Sequence, residues 1–308
     1  MTYLLSGIFL GWSLGANNGA NLFGSAVTSK MLKFQTAAIL ASIFVLIGAI
    51  WQGQPGIETI KGLTQLNLKL ATISSIAAAI TVTVMTFCRL PISTSQAVVG
   101  ALVGVGLIKG QLNLDGIGKV VTCWFGTPIG GLLVSITVYK VFGALYNRFG
   151  LNLFQGDIFL RLALIMSGCY CAYALGANNV ANVTAVFVGA GLLSILAASI
   201  IGGLSIGLGI ITYSKGVMET VGSQLVKLDA FSALVVVLSE AITVHFYTIV
   251  GVPVSASQAV IGAVLGVGIV KSISTIRRQT LGAIAIGWFM TPVVAAFFSL
   301  ILFLIFRP

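Results

Sequence analysis

Two septets of this chain carry side chains able to hold an ion in an apolar setting: Gly15-Ala-Asn-Asn-Gly-Ala-Asn21 and Gly176-Ala-Asn-Asn-Val-Ala-Asn182. A carboxamide has two N–H donors, which suit an anion, and a carbonyl oxygen, which suits a cation. Leaving such a group unpaired among hydrocarbon costs on the order of 2–7 kcal/mol, so its presence there needs a reason. On a helix Asn17 and Asn21 share one face, as do Asn178 and Asn182, while Asn18 and Asn179 lie about 100° further round. Gly15, Gly19 and Gly176 mark places where a helix can unwind or admit another backbone. A helix broken there would turn free N–H groups toward an anion. Packing glue between helices is the bland alternative; it explains one asparagine more readily than six in matched positions.

A second pair of segments adds hydroxyls: Pro91-Ile-Ser-Thr-Ser-Gln96 and Pro253-Val-Ser-Ala-Ser-Gln258. Proline fits the first turn of a helix, where its missing N–H does no harm. Ser93, Thr94, Ser95 and Gln96 then stand beside the free amides of that turn, as do Ser255, Ser257 and Gln258, with Ala256 in place of Thr94. Hydroxyls at the positive end of a helix make an oxyanion cradle. Ordinary helix capping is the alternative, and the neighbouring asparagine repeats weigh against it. Each motif is followed by spaced glycines, Gly100, Gly104 and Gly106 or Gly262, Gly266 and Gly268, which allow close helix packing.

The elements that must position these groups are membrane helices. Hydrophobic residues make up 58% of the 308, charged residues 7%, and mean hydropathy is +1.10; soluble domains carry about 25% charged residues. The asparagine motifs are offset by 161 residues, the Pro/Ser motifs by 162, and Trp124-Phe-Gly-Thr-Pro128 from Trp288-Phe-Met-Thr-Pro292 by 164. Three ordered matches at one spacing point to a duplication. The fold expected is an all-α polytopic membrane protein of two repeats, residues 1–150 and 151–308, with broken or half helices at the substrate site. Apolar segments run over about 3–28, 35–51, 70–88, 92–108 and 118–143, then 159–185, 187–211, 230–249, 254–270 and 279–306. Five crossings per repeat invert the second relative to the first. With both termini outside, eleven loop Lys and Arg lie inside against five outside, the sense that the positive-inside bias prefers. A re-entrant fourth or ninth segment would change that count. Met1 leads into an apolar stretch with neither a basic leader nor an Ala-x-Ala site, so a retained first span in a prokaryotic inner membrane is expected.

The formal charge of +10 is scattered over short loops, which argues for topology signals and against nucleic acid. Cys88, Cys123, Cys169 and Cys171 read as small buried hydrophobes, and no cofactor is expected. There is no P-loop and no catalytic His/Asp/Cys constellation, so the chain is not expected to be an enzyme. Glu240, in an apolar run where the first half has Ala78, is a candidate for coupling or gating, with a Lys or Arg ion pair as the alternative. Arg89 is either an entrance residue for anions or an inner-loop charge. His245 reads as a packing or interfacial residue.

Together the two motifs resemble the PiT family of inorganic phosphate transporters, whose signature is a duplicated Gly-Ala-Asn-Asp-x-Ala-Asn with duplicated Pro-x-Ser-Thr-Thr-His-like segments. The resemblance covers nearly the whole chain in order and repetition. It implies phosphate transport with sodium or protons through two inverted repeats, and it places the binding site on Asn17, Asn18, Asn21, Ser93, Thr94, Ser95 and Gln96 with Asn178, Asn179, Asn182, Ser255, Ser257 and Gln258. Sodium, if used, belongs near Asn17, Asn21, Asn178 and Asn182. The partners expected are an oxyanion and the bilayer, with a homodimer left open. The chain departs from the signature at Asn18 and Asn179, where the family has Asp, and at Gln96 and Gln258, where it often has His. A carboxylate accepts the proton of phosphate but repels sulfate, which at neutral pH has none to give. The neutral site therefore leans toward sulfate, while the resemblance favours phosphate. An anion channel is the remaining alternative.

Overall fold

The computed structural model describes residues 3–87, 92–224, 228–272 and 278–306. Eleven α-helices run through them: α1 (Leu4–Thr28), α2 (Phe34–Gln52), α3 (Gln54–Lys61), α4 (Leu68–Phe87), α5 (Thr94–Lys109), α6 (Leu114–Arg148), α7 (Leu153–Gly189), α8 (Ile195–Gln224), α9 (Ala230–Ile249), α10 (Ala256–Lys271) and α11 (Arg278–Phe306). Among the described residues the only strand-like pairing is one isolated bridge, Thr64 to Leu112. Arg89, Pro91 and Cys88 lie outside the described residues.

Local sequence sets the helix starts. Asn152 and Gln155 form a reciprocal capping box on α7, with Gln155 N–H donating to Asn152 Oδ1 at 2.9 Å and Asn152 N–H to Gln155 Oε1 at 3.2 Å. Asn113 and Asp229 cap α6 and α9 in the same way, each accepting a backbone N–H at 2.9 Å. Asp229 also pairs with Lys271 at the end of α10, the one ion pair among the described residues. Burial pushes the Asp229 carboxyl up, but the Lys271 ammonium and the Ser232 donors outweigh it and hold it below its ordinary value.

Among the described residues seven helices are long and apolar enough to cross a membrane: α2, α4, α6, α7, α8, α9 and α11. α5 and α10, at 16 residues each, are about 24 Å long against a hydrocarbon core of about 30 Å, and both begin at a Pro/Ser motif. At that length neither reaches across the core by itself. The helices bearing the asparagines are not broken: α1 and α7 run continuously through both septets.

The glycines explain why. Their missing side chains are spent on close approach between helices. A Cβ on Gly15 would sit 2.0 Å from the Ile206 carbonyl of α8, and one on Gly176 would sit 2.0 Å from the Val45 carbonyl of α2. Gly48 meets the Tyr173 carbonyl and Gly209 the Trp12 carbonyl, also at 2.0 Å. Gly100 meets the Pro292 carbonyl at 2.3 Å, and Gly262 meets the Pro128 carbonyl at 2.1 Å. Every contact has a counterpart with the halves exchanged. The halves accordingly interleave: α1 packs on α8, α2 on α7 and α8, α5 on α11, and α6 on α10.

Gly15→Ala and Gly176→Ala are each expected to lower stability by about 1–3 kcal/mol, since backbone must move to admit a methyl group. Gly118→Ala, whose Cβ would meet nothing within 4 Å, is expected to be neutral. Thermal unfolding in detergent checks all three.

Candidate functional site

The second asparagine septet lies at the centre of the protein, with Asn178, Asn179 and Asn182 at 1%, 2% and 1% exposure. Val252–Ser255, the extended chain before α10, carries backbone polar groups that no helix satisfies. Asn178 satisfies two of them. Its Nδ2 donates to the Val254 carbonyl at 2.8 Å, and its Oδ1 accepts the Val254 N–H at 3.0 Å. The carboxamide thus pairs with the backbone as a second strand would.

Ser95, from the first-half Pro/Ser motif, joins the same point. Its hydroxyl donates to the Val254 carbonyl at 3.0 Å and accepts Asn182 Nδ2 at 2.9 Å. Asn182 Nδ2 also lies 3.1 Å from Asn179 Oδ1, and Asn179 Nδ2 donates back to the Leu175 carbonyl at 3.1 Å. One network therefore unites α7 with the starts of α5 and α10. Asn182 Oδ1 remains buried without a partner.

The first septet is arranged differently. Asn18 is buried, Asn17 and Asn21 are half-buried, and none of the three side chains has a hydrogen-bond partner among the described residues. Ser93 and Ser255 act as N-caps, accepting the Gln96 and Gln258 N–H groups at 3.4 and 3.3 Å. Both hydroxyls keep a proton to donate. Thr94 is buried and Ser257 half-buried at the leading turns of α5 and α10.

Gln96 and Gln258 make no side-chain hydrogen bond to this network. They border an apolar cavity of about 440 Å³ between α5, α6 and α11, together with Trp124 and Trp288. The Oε1 atoms of both glutamines and the indole nitrogens of both tryptophans are buried without partners. Ser95 and Gln96 are neighbours on one helix, about 100° apart, so they face different sides.

The flank of the second septet is covered by α3, an element without a counterpart in the sequence reading. A Cβ on Gly53 would sit 2.4 Å from Val180, and one on Gly56 would sit 3.2 Å from Ala181. Thr59 donates to the Gly251 carbonyl, and Lys119 Nζ to the Val250 carbonyl at 3.1 Å, tying α3 and α6 to the turn that leads into Val254. A further network was also missed. His245 lies 2.7 Å from the Tyr170 hydroxyl and 2.6 Å from Gln52 Oε1, which also accepts Tyr173 at 2.9 Å. Gln52 Oε1 can only accept, so Nε2 of the ring carries the proton and Nδ1 accepts from Tyr170. His245 is thereby a satisfied packing residue. Cys123 and Cys169 are half-buried and Cys171 buried, all as free thiols. No group of three or more His, Cys, Asp or Glu gathers to hold a metal among the described residues.

Residues 14–299 match the profile of the family described as "Phosphate transporter family". The chain is 29% identical over 299 residues to the "Putative phosphate permease" of Methanocaldococcus jannaschii, covering 97% of this chain and 95% of the relative. It is 26% identical over 309 residues to the sulfate permease of Bacillus subtilis, covering 98% of this chain and 87% of the relative. The fold matches that of a sodium-dependent phosphate transporter with a TM-score of 0.86, covering 100% and 99% of the two chains at 23% identity.

Asn178→Leu is expected to cost about 1–3 kcal/mol of stability, because it strands the buried N–H of Val254 and leaves its C=O with Ser95 as donor. Asn17→Ala is expected to stay within about 0.5 kcal/mol of wild type while reducing transport. Unfolding curves paired with uptake assays separate the strut from the ligand.

Proposed function

Because this chain belongs to the phosphate transporter family, we propose that it is a secondary transporter of a tetrahedral inorganic oxyanion, phosphate in the first place, working by alternating access. The observation that carries this reading is the junction of Asn178 and Asn182 with Ser95 and Val254, which gathers three of the four duplicated motifs. The amides of Asn17, Asn18 and Asn21 and the first-turn N–H groups of α5 and α10 supply the donors for the anion. Glycine contacts that recur with the halves exchanged favour two repeats, residues 1–150 and 151–308; an odd number of crossings in each inverts the second, and the loop Lys and Arg favour both termini outside.

The site is asymmetric. The second septet is sealed under α3, whereas Asn17 and Asn21 are partly exposed. That asymmetry suits a transporter open to one side, in which loosening α3 from Gly251 admits the anion to the other. Coupling by sodium would use the carbonyl oxygens of Asn17, Asn21, Asn178 and Asn182; coupling by a proton needs a titratable group instead. The outward apolar faces of α6 and α11 meet lipid, and a homodimer would bury part of them.

Sulfate is the second reading. Asn18 and Asn179 give the site no carboxylate to accept a phosphate proton, and one relative is named a sulfate permease.

Purified protein in liposomes should show saturable counterflow of labelled phosphate or sulfate; counterflow of neither would overturn the proposal. Asn18→Asp with Asn179→Asp should shift the preference toward phosphate by about tenfold, and an unchanged preference would remove the carboxylate argument.

A further inference from the structure

Glu240 is 1% exposed in the middle of α9, and neither carboxyl oxygen has a hydrogen-bond partner by ordinary geometry. Among the described residues no cation pairs with it, and the one ion pair there is Lys271 with Asp229. Its polar neighbour is the Cys171 thiol on α7, a weak donor. A bare carboxylate so placed would cost several kcal/mol.

Several charged and titratable groups on the elements packed against α9 are engaged elsewhere, while Asp157 and Arg161 of α7, Asp115, Lys140 and Arg148 of α6 and Lys61 of α3 lie toward the ends of their helices. On α7, Tyr170 is bound to His245 of α9 itself, and Tyr173 to Gln52. On α6, Lys119 reaches the Val250 carbonyl and Tyr139 packs edge-on against Phe231. On α3, Glu58 accepts from Gln54; on α10, Lys271 is held by Asp229. α1 and α2 contain no titratable residue.

We infer that Glu240 is the group that carries the coupling proton of this transporter. The inference rests on the transport reading above and names its driving ion. In the state seen here the residue is a neutral carboxylic acid. When the α7–α9 interface opens to water, the O–H bond breaks and the proton passes to water; from the opposite side a hydronium ion restores it. Sodium is a poor occupant here, because a hard cation needs several oxygen ligands and the neighbours are a thiol and apolar side chains. The position is linked mechanically to the anion site. Cys171 lies seven residues before Asn178, two turns along α7, and α9 runs through the Val250–Gly251 turn into Val254, which Asn178 grips. The first half has fully buried Ala78 at the equivalent place, so the acid occurs once per chain.

The test is anion uptake by the full chain in liposomes, under an imposed pH gradient (acid outside) or a sodium gradient. Wild type should accumulate anion several-fold faster with the pH gradient than without it and ignore sodium. In Glu240→Gln that ratio should fall to about one, and Glu240→Asp should restore it with a displaced pH midpoint. A stimulated Glu240→Gln, or a wild type that performs counterflow yet ignores the pH gradient, would overturn the inference while leaving the transport reading intact. A wild type without counterflow would instead sink both. If the glutamine variant fails to fold, Glu240→Asp decides: a displaced pH midpoint supports the inference and an unchanged one overturns it.

Discussion

The pairing of the Asn178 carboxamide with the Val254 backbone is the interaction on which the rest of this structure depends. Chain that is neither helix nor strand cannot lie in an apolar interior unless its N–H and C=O groups find partners. Two donors and one acceptor from Asn178 and Ser95 meet that demand at Val254, and Asn182 in turn donates to Ser95. Once it is met, α10 can start inside the helical bundle, and so can α5. Their positive ends then converge on one place, where a soluble anion can be held without a formal positive charge. The seal formed by α3 fastens to the same stretch through Gly251, so the segment that builds the site also carries its closure.

Close backbone packing makes this geometry rigid enough to matter. Helices in a lipid environment gain little from hydrophobic burial against one another and rely on shape. Here the shape comes from glycine: Gly15, Gly48, Gly176 and Gly209 let α1, α2, α7 and α8 approach to carbonyl contact, and Gly100 and Gly262 do so for α5 and α10. Residues that look like hinges by composition are therefore points of fixation.

Much of this was legible in the residues. Apolar runs gave the helices because few polar groups can enter a bilayer, and the Pro/Ser motifs marked the starts of α5 and α10 because Ser93 and Ser255 cap them. The departures have physical causes. α3 went unseen because an eight-residue helix with Pro, Gly and two charges has no membrane signature. The unbroken course of α1 and α7 was hidden because glycine serves unwinding and close approach equally well. Gln96 and Gln258, read as ligands with the Pro/Ser motifs, border the apolar cavity lined by Trp124 and Trp288, a placement that depends on packing between helices and not on local sequence. Val254 acts through its backbone, so no side chain advertised it.

The central claim is that the anion sits between the asparagine septets and the leading turns of α5 and α10. Locating arsenate or selenate, stand-ins for phosphate and sulfate, by anomalous diffraction from crystals of the protein tests it most directly. A peak is expected within hydrogen-bond reach of Asn17 or Asn18 and of the Ser93–Ser95 or Ser255–Ser257 turns. A bound anion seated elsewhere, or none at concentrations that saturate transport, would contradict it.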